Sequence, residues 1–322
     1  MPVLVYLLFA FLLILITLLY FKVATYYNII DHPNERSSHS EITLLGGGLI
    51  FPLAILLYST FFGFPYLYFL AGLLLISFIS FWDDLQTLSP TLRLPIHLIA
   101  VGLMFVELGI FNLSIWVIIM IFIIVIGTIN AYNFMDGING ITGLYSLSVI
   151  VSLIYLNNKI PFIEQEFLLI ASISILVFLF FNFRIKAKCF AGDVGSIAIA
   201  FIILFSLGLL ILSTGQFLYI LFLAVYGTDV VLTIIFRLLK KQNIFDPHRS
   251  HVYQILSNEK RLSHLFVSSI YSAFQIVINV LVISMVSNSM LSQIIFAFFI
   301  LFSLSILYLH IKPYVKSSYS TK

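Results

Sequence analysis

Residues 115–126 read Ile-Trp-Val-Ile-Ile-Met-Ile-Phe-Ile-Ile-Val-Ile, with no charged side chain and no alternation. A half-buried strand shows apolar and polar residues in turn, and a membrane β-barrel repeats that pattern in short segments. A continuous apolar run instead suits a helix, whose backbone groups are satisfied within the segment where no water is available. Working outward, the same texture fills the chain: of 322 residues 61% are apolar and 9% charged, and the mean hydropathy is +1.14. Soluble domains carry about 25% charged residues. The 16 basic and 13 acidic residues here are too few to cover a soluble surface of this size, which excludes a soluble enzyme, a disordered tail and a nucleic-acid binder. The net charge of +3 is too small to suggest a polyanion partner. One cysteine, Cys189, excludes an intramolecular disulfide framework and a cysteine-based zinc cluster.

About 20 apolar residues cross the hydrocarbon as a helix. Candidate spans fall at 3–23, 46–62, 66–82, 92–108, 113–132, 140–157, 166–182, 195–213, 216–238, 264–286 and 290–310. The expected fold is therefore all-α: one polytopic membrane domain over 1–322, with about eleven transmembrane helices. The first span lacks the basic start and small-residue cleavage site of a signal peptide. Placing the N-terminus outside puts loops 24–45, 83–91, 133–139, 183–194 and 239–263 and the C-terminal tail inside. All Lys and Arg residues except Lys159 then lie at or near the inner face. The positive-inside rule thus predicts N-out and C-in, with the chemistry facing the cytoplasm. Asp31, Asp83, Asp84, Asp136, Asp193 and Asp246 fall on that side, whereas Glu107, Glu164 and Glu166 fall outside.

Four inner loops place carboxylates beside glycines or amides: Phe81-Trp82-Asp83-Asp84, then Asn130 to Gly140 with Asn133, Asp136 and Asn139, then Phe190-Ala-Gly192-Asp193-Val-Gly195-Ser196, then Asp246-Pro-His248-Arg249-Ser250-His251. Carboxylates at a membrane boundary are costly, and adjacent ones raise each other's pKa. A divalent cation removes both problems, and carboxylate oxygens suit Mg²⁺, with phosphate oxygens completing its shell. Asp83, Asp84 and Asp193 are accordingly candidate metal-site residues. For any single Asp the competing reading is the capping of a helix end, and Ser196 is open to the same reading. Gly46-Gly47-Gly48, Gly192 and Gly195 fit phosphate contact through exposed N–H groups, or simple turns. Arg93, Lys188, Arg249, His248 and His251 supply positive charge or donors for an anionic substrate. Lys186, Lys240 and Lys241 read as topology determinants and contacts for anionic lipid. His97, His264 and His310 read as structural. Asp229 and Asn182 lie in spans, where function and helix-to-helix hydrogen bonding compete.

In order and spacing these motifs resemble the polyprenyl-phosphate N-acetylhexosamine-1-phosphate transferases over about residues 1–263. The resemblance rests on Asp31-His-Pro33-Asn34-Glu-Arg36-Ser37-Ser38-His39 with Gly46–Gly48, on Asp83-Asp84 with Arg93, on Asn130 to Gly140, on Asn182 with Lys188 to Ser196, and on Asp246 to Gln254. The last of these is similar to the form in members that initiate O-antigen rather than to the three-histidine run of the peptidoglycan members. The sequence departs from the family at Leu44 and Leu45, where Pro and a basic residue are common, and at Asn139, where many members have Asp.

The resemblance implies transfer of an N-acetylhexosamine 1-phosphate from a UDP-sugar to undecaprenyl phosphate, releasing UMP, at the bacterial inner membrane and in surface-polysaccharide or other glycan initiation. It implies Mg²⁺, with Mn²⁺ able to substitute. Asp193 is then the metal ligand, and Asp83 or Asp84 organises the metal or the attacking lipid phosphate. Asn133 and Asp136 hold the nucleotide or waters around the metal. His251, with His248 and Arg249, contacts the diphosphate. Asn34, Arg36, Arg93, Asn130, Asn182 and Lys188 complete the substrate-binding set. Implied partners are the two substrates and membrane lipid; a homodimer is compatible with the sequence, and no nucleic acid is expected. The sugar is not legible. The rival readings are a transporter or flippase of lipid-linked sugars, which would place charges at the midplane on broken helices, a non-catalytic scaffold, and an inactive member of the family.

Overall fold

The computed structural model describes residues 3–31, 42–243 and 249–312. Nine helices in it are long and apolar enough to cross a membrane, and two shorter apolar helices, at 47–62 and 141–157, bring the set to eleven. The chain is an all-α polytopic membrane protein. Its helices are α1 (Val3–Tyr26), α2 (Ile50–Phe62), α3 (Leu67–Leu85), α4 (Pro90–Glu107), α5 (Ile115–Met135), α6 (Ile141–Asn157), α7 (Gln165–Asn182), α8 (Gly192–Thr214), α9 (Ala224–Leu239), α10 (Val252–Gln254), α11 (His264–Met285) and α12 (Met290–Ile311). The short α10 runs into a π turn over Ile255–Glu259, and α9 is preceded by a 3-10 stretch over Phe217–Leu223.

The spans sort by how they meet lipid. α1 and α12 expose Leu4, Leu7, Phe298 and Phe299 all along their outer faces, as lipid-facing helices do. α8 sits at the centre, with most of its length enclosed. Small residues allow this. A Cβ on Gly48 would collide with the backbone of Gly195, so the start of α2 and the first turn of α8 approach as bare backbone. Interior packing is dense with rings: Phe69 stacks on Phe205 at 4.0 Å between centroids, and Tyr145 on Tyr226 at 3.6 Å.

Several helices outrun their apolar patterns on the face that carries the carboxylates. α3 continues through Asp83 and Asp84, α5 through Asn133, and α8 begins before Asp193. These residues, expected in loops, occupy terminal helical turns. Hydropathy ends where polar residues begin, but the i to i−4 hydrogen-bond ladder does not. The loop segments between them are tied together. β1 (Ile30–Asp31) pairs antiparallel with β2 (Thr43–Leu44), and Leu44 also bridges Cys189, with Phe190 N–H donating to the Leu44 carbonyl at 2.8 Å. The segments before α2 and before α8 are thus laid side by side.

Candidate active site

Consecutive helical residues point about 100° apart, because 3.6 residues make a turn. Asp83 and Asp84 therefore serve different neighbours. Asp83 accepts the Leu88 N–H at 2.6 Å and forms an ion pair with Arg93 of α4. The same Arg93 Nη1 lies 3.3 Å from Asp193 Oδ2. Asp84 turns the other way and accepts the backbone N–H groups of Asp193 at 2.8 Å and Val194 at 3.1 Å. It caps α8 from a different helix, which the partial positive charge of a helix start favours. The approach requires Gly192, whose φ is +72° and whose Cβ would stand 2.5 Å from Asp84 Oδ2.

Asp193 Oδ1 accepts the Asn133 amide at 2.7 Å, and the same Asn133 nitrogen lies 3.3 Å from Ser196 Oγ. Asp193, Asn133, Asp136 and Asn139 line one cavity of about 240 Å³, closed on its other sides by Asp31, Leu45, Gln254 and His264. Asp136, at the end of α5, is held well above the ordinary carboxylate value, at about 7. Burial is the main cause and the Asp193 charge adds to it, while a hydrogen bond from Thr142 opposes. The Cys189 thiol is pushed up to about 12 by burial and by Asp136, which leaves it no nucleophilic thiolate near neutrality.

Asp83, Asp84 and Asp193, the candidate metal residues, each already have partners within the protein. Among the described residues no three His, Cys, Asp or Glu side chains gather as a metal site. Arg93 pairs with Asp83, and two backbone amides donate to Asp84. The carboxylates that line the cavity are Asp31, Asp84, Asp136 and Asp193. Half-buried carboxylates with amide side chains beside them form a hard-oxygen donor set, and Mg²⁺ is held by one or two carboxylates plus substrate phosphates. The residues fit the ion through this set.

Of the two readings left open for the glycine run, the local-structure one fits the hydrogen bonds. The N–H groups of Gly47 and Gly48 donate to the carbonyls of Phe190 and Ala191 at 2.8 and 3.1 Å, so they bind the neighbouring loop and not a phosphate. Of the substrate-binding set, the structure brings Arg93 and Asn133 to Asp193. Asn182 is buried in the cavity wall, where it donates to the Cys189 carbonyl at 2.8 Å and accepts the Gly140 N–H at 2.7 Å. Asn130 is exposed, donates to the Ile126 carbonyl of its own helix at 2.8 Å, and lies apart from the cavity lining. Lys188 is exposed on its loop, and Arg249 is half-buried outside the lining. Asn34, Arg36 and His248 lie outside the described residues.

His251 is buried in a different cluster. Its Nδ1 lies 3.2 Å from Asp229 Oδ1, and Asp229 also accepts the Val252 N–H at 3.1 Å and the Tyr271 hydroxyl at 2.7 Å. Both readings left open for Asp229 are thereby resolved in favour of helix-to-helix hydrogen bonding. The cluster fixes residues 251–264 in place, and that segment contributes Gln254 and His264 to the cavity wall. From the sequence His264 reads as structural and Gln254 only as the end of the fifth motif, whereas both line the cavity. His264 opens α11 behind the Ser263 cap, which accepts the Phe266 N–H at 3.2 Å, and a helix start on this face was the available signal.

Comparison with known proteins matches residues 66–214 to the family model for glycosyl transferase family 4. The chain is 30% identical over 264 residues to an undecaprenyl-phosphate alpha-N-acetylglucosaminyl 1-phosphate transferase of Haemophilus influenzae, covering 72% of this chain and 73% of that protein. It is 29% identical over 238 residues to a Thermotoga maritima protein of the same name, covering 71% of this chain and 73% of that one. A phospho-N-acetylmuramoyl-pentapeptide-transferase of Thermotoga neapolitana is 28% identical over 158 residues, or 45% of this chain and 48% of its own.

Proposed function

The chain belongs to the polyprenyl-phosphate N-acetylhexosamine-1-phosphate transferases of glycosyl transferase family 4, and from that membership we propose that it transfers an N-acetylhexosamine 1-phosphate from a UDP-sugar to undecaprenyl phosphate, releasing UMP, at the cytoplasmic face of the bacterial inner membrane. The observation that carries the proposal is the meeting of Asp193, Asn133 and Arg93 at the start of α8, beside Asp136 in a cavity at one end of the helix bundle. An N-acetylglucosamine donor is the first to test, because two relatives carry that sugar in their names. An early step of surface-polysaccharide or cell-wall glycan synthesis is the pathway class this reaction serves.

In this reaction an oxygen of the lipid phosphate attacks the sugar-bearing phosphorus of the donor. The bond from that phosphorus to the bridging oxygen breaks, and UMP leaves with the bridging oxygen. A phosphate monoester has a second pKa of about 6, so the lipid phosphate is largely ionised near neutrality and needs no strong base. What the protein supplies is position and charge. Arg93, held by Asp83, places a cation beside Asp193 at the edge of the site. Asn133 fixes the Asp193 carboxylate through Oδ1. Asp84 aligns the first turn of α8 and with it the direction of Asp193. Asp193 with Asp136 would hold Mg²⁺, which when bound offsets the charge of the diphosphate.

The test is UMP release by the purified protein with undecaprenyl phosphate, a panel of UDP-N-acetyl sugars and Mg²⁺, with EDTA and Asp193→Asn as controls. Lipid-dependent UMP from one donor, abolished by both controls, is the expected result. Folded protein that yields no UMP from any donor overturns the proposal.

A further inference from the structure

A second cavity, of about 230 Å³, opens on the far side of the 251–264 segment. Its walls come from three spans, with Val225 of α9, Phe274 of α11 and Leu304 and Leu307 of α12, and from Val252 and Leu256 of the segment itself. Nearly all of its surface is apolar. The one carboxylate in its lining, Asp229, is engaged by His251, Val252 and Tyr271. It is therefore a groove for hydrocarbon.

The groove has a cationic end. Tyr308 and Ile311 line it, and Lys312 follows directly at the close of α12, with its Nζ hydrogen-bonded to the Tyr308 hydroxyl. Lys312 Nζ stands 4.6 Å from the centre of the Tyr308 ring and 4.8 Å from that of Phe236, so two aromatic rings fix its position. Among the described residues no carboxylate forms an ion pair with it. Burial is the main force lowering its pKa, to about 8. Lys240 and Arg237 of α9 press in the same direction, and Asp229 opposes. Three cations thus cluster where α9 and α12 leave the apolar layer, at the mouth of a groove of chain-like character. An apolar slot that ends at Lys312 and Lys240 is complementary to an acyl chain attached to an anionic headgroup.

We propose that this groove binds one anionic phospholipid, its acyl chain between α9, α11 and α12 and its phosphate at Lys312 and Lys240. The charge complementarity at Lys312 argues for an anionic lipid over a zwitterionic one. The position argues for a bulk phospholipid over the polyprenyl phosphate acceptor. Headgroup and reaction cavity are separated by the 251–264 segment, whose Val252, Leu256 and Leu262 face the groove while Gln254 and His264 face the cavity. A lipid here braces the partition from behind and does not enter the chemistry.

The test is a binding experiment and does not depend on the transferase reading. Delipidated full-length protein in detergent is titrated with phosphatidylglycerol, phosphatidylcholine or undecaprenyl phosphate and read by native mass spectrometry. Phosphatidylglycerol is expected to bind about tenfold more tightly than phosphatidylcholine at one site. Lys312→Gln, with Lys240→Gln added, is expected to erase the difference, and Lys312→Arg to preserve it. Leu307→Trp, which fills the slot and leaves the charges alone, should weaken both phospholipids, with thermal unfolding confirming that each variant is folded. Equal binding of the two phospholipids, or a preference that survives Lys312→Gln, overturns the proposal. Displacement of phosphatidylglycerol by an equimolar amount of undecaprenyl phosphate at the same Lys312-dependent site also overturns it and gives the groove to the acceptor.

Discussion

Asp84 holds the helix start on which Asp193 sits: the Asp84 carboxylate accepts the Asp193 backbone N–H at 2.8 Å and the Val194 N–H at 3.1 Å. One acid holds the helix end from which the other projects. Asp84→Ala leaves two amide donors of α8 without their acceptor. Loss of such a cap costs about 0.5–2 kcal/mol, and Asp84→Asn, which retains one carbonyl oxygen, should cost less. Thermal unfolding in detergent should rank the three proteins as wild type, Asp84→Asn, Asp84→Ala. Transferase activity should fall in the same order, because Asp193 loses its alignment.

Asp193→Asn and Asp136→Asn should behave differently from the Asp84 variants. Neither side chain caps a helix or anchors a loop, and both line the cavity. Each substitution should lower turnover by about 10²–10³-fold, the scale of losing one electrostatic contact to a reacting group, with a melting temperature at or above that of wild type. A wild-type rate in both variants would remove the cavity from the reaction.

The raised pKa of Asp136 gives the metal-free protein a pH dependence whose sign is fixed. Its folded value of about 7 lies above the ordinary 3.8, chiefly through burial. The folded state therefore binds the proton more tightly than the unfolded state, and stability falls as pH rises from about 4 toward 7. With EDTA present, the melting temperature should drop between pH 5 and 7.5, and Asp136→Asn should flatten that slope. Mg²⁺ should restore stability at the upper end, where the carboxylate is ionised.

Much of this architecture is legible in the sequence, and what is not has physical causes. The eleven apolar runs locate the helices to within a few residues because burial in lipid writes itself into every position of a span. The terminal turns holding Asp83, Asn133 and Asp193 do not, because there the helix follows its hydrogen-bond ladder and not its hydropathy. The acids of the site were visible as a set, but their partners were not. Nothing in the order of residues says that Arg93 pairs with Asp83 or that Gly47 serves the Phe190 carbonyl. Gln254 and His264 reach the cavity only through tertiary contacts of their segment.

Asn139 replaces an acid common in similar sequences, and its geometry explains why an amide stands there. Its Nδ2 donates to the carbonyls of Arg184 at 2.7 Å and Ile185 at 3.3 Å, while its backbone carbonyl accepts the Ser268 hydroxyl at 2.7 Å. A carboxylate has no N–H to donate and would face two carbonyl oxygens. Asn139→Asp should therefore destabilise the protein by about 1–3 kcal/mol, the cost of leaving buried polar groups unsatisfied. Denaturant or thermal unfolding of the variant checks this. Equal stability would mean that the loop over 183–189 is held by other contacts.

Asp229 holds the segment that closes the cavity, so its loss should act on substrate binding through structure. The carboxylate joins α9, His251, Val252 and Tyr271 of α11 in one buried knot. Removing the carboxylate leaves buried donors, the Val252 N–H and the Tyr271 hydroxyl, without their acceptor at about 1–3 kcal/mol each, and Asp229→Ala should lose stability on that scale. Asp229→Asn keeps an acceptor for Val252 and Tyr271 and should lose less, and Tyr271→Phe less again. If Asp229 only stabilises the fold, the kinetic constants of the surviving folded protein should not move. If it positions Gln254 and His264, the donor KM should rise several-fold in Asp229→Asn and by a smaller factor in Tyr271→Phe, with kcat largely retained. Steady-state kinetics at a temperature where all three proteins are folded separates the two, and the knot predicts the rise in KM.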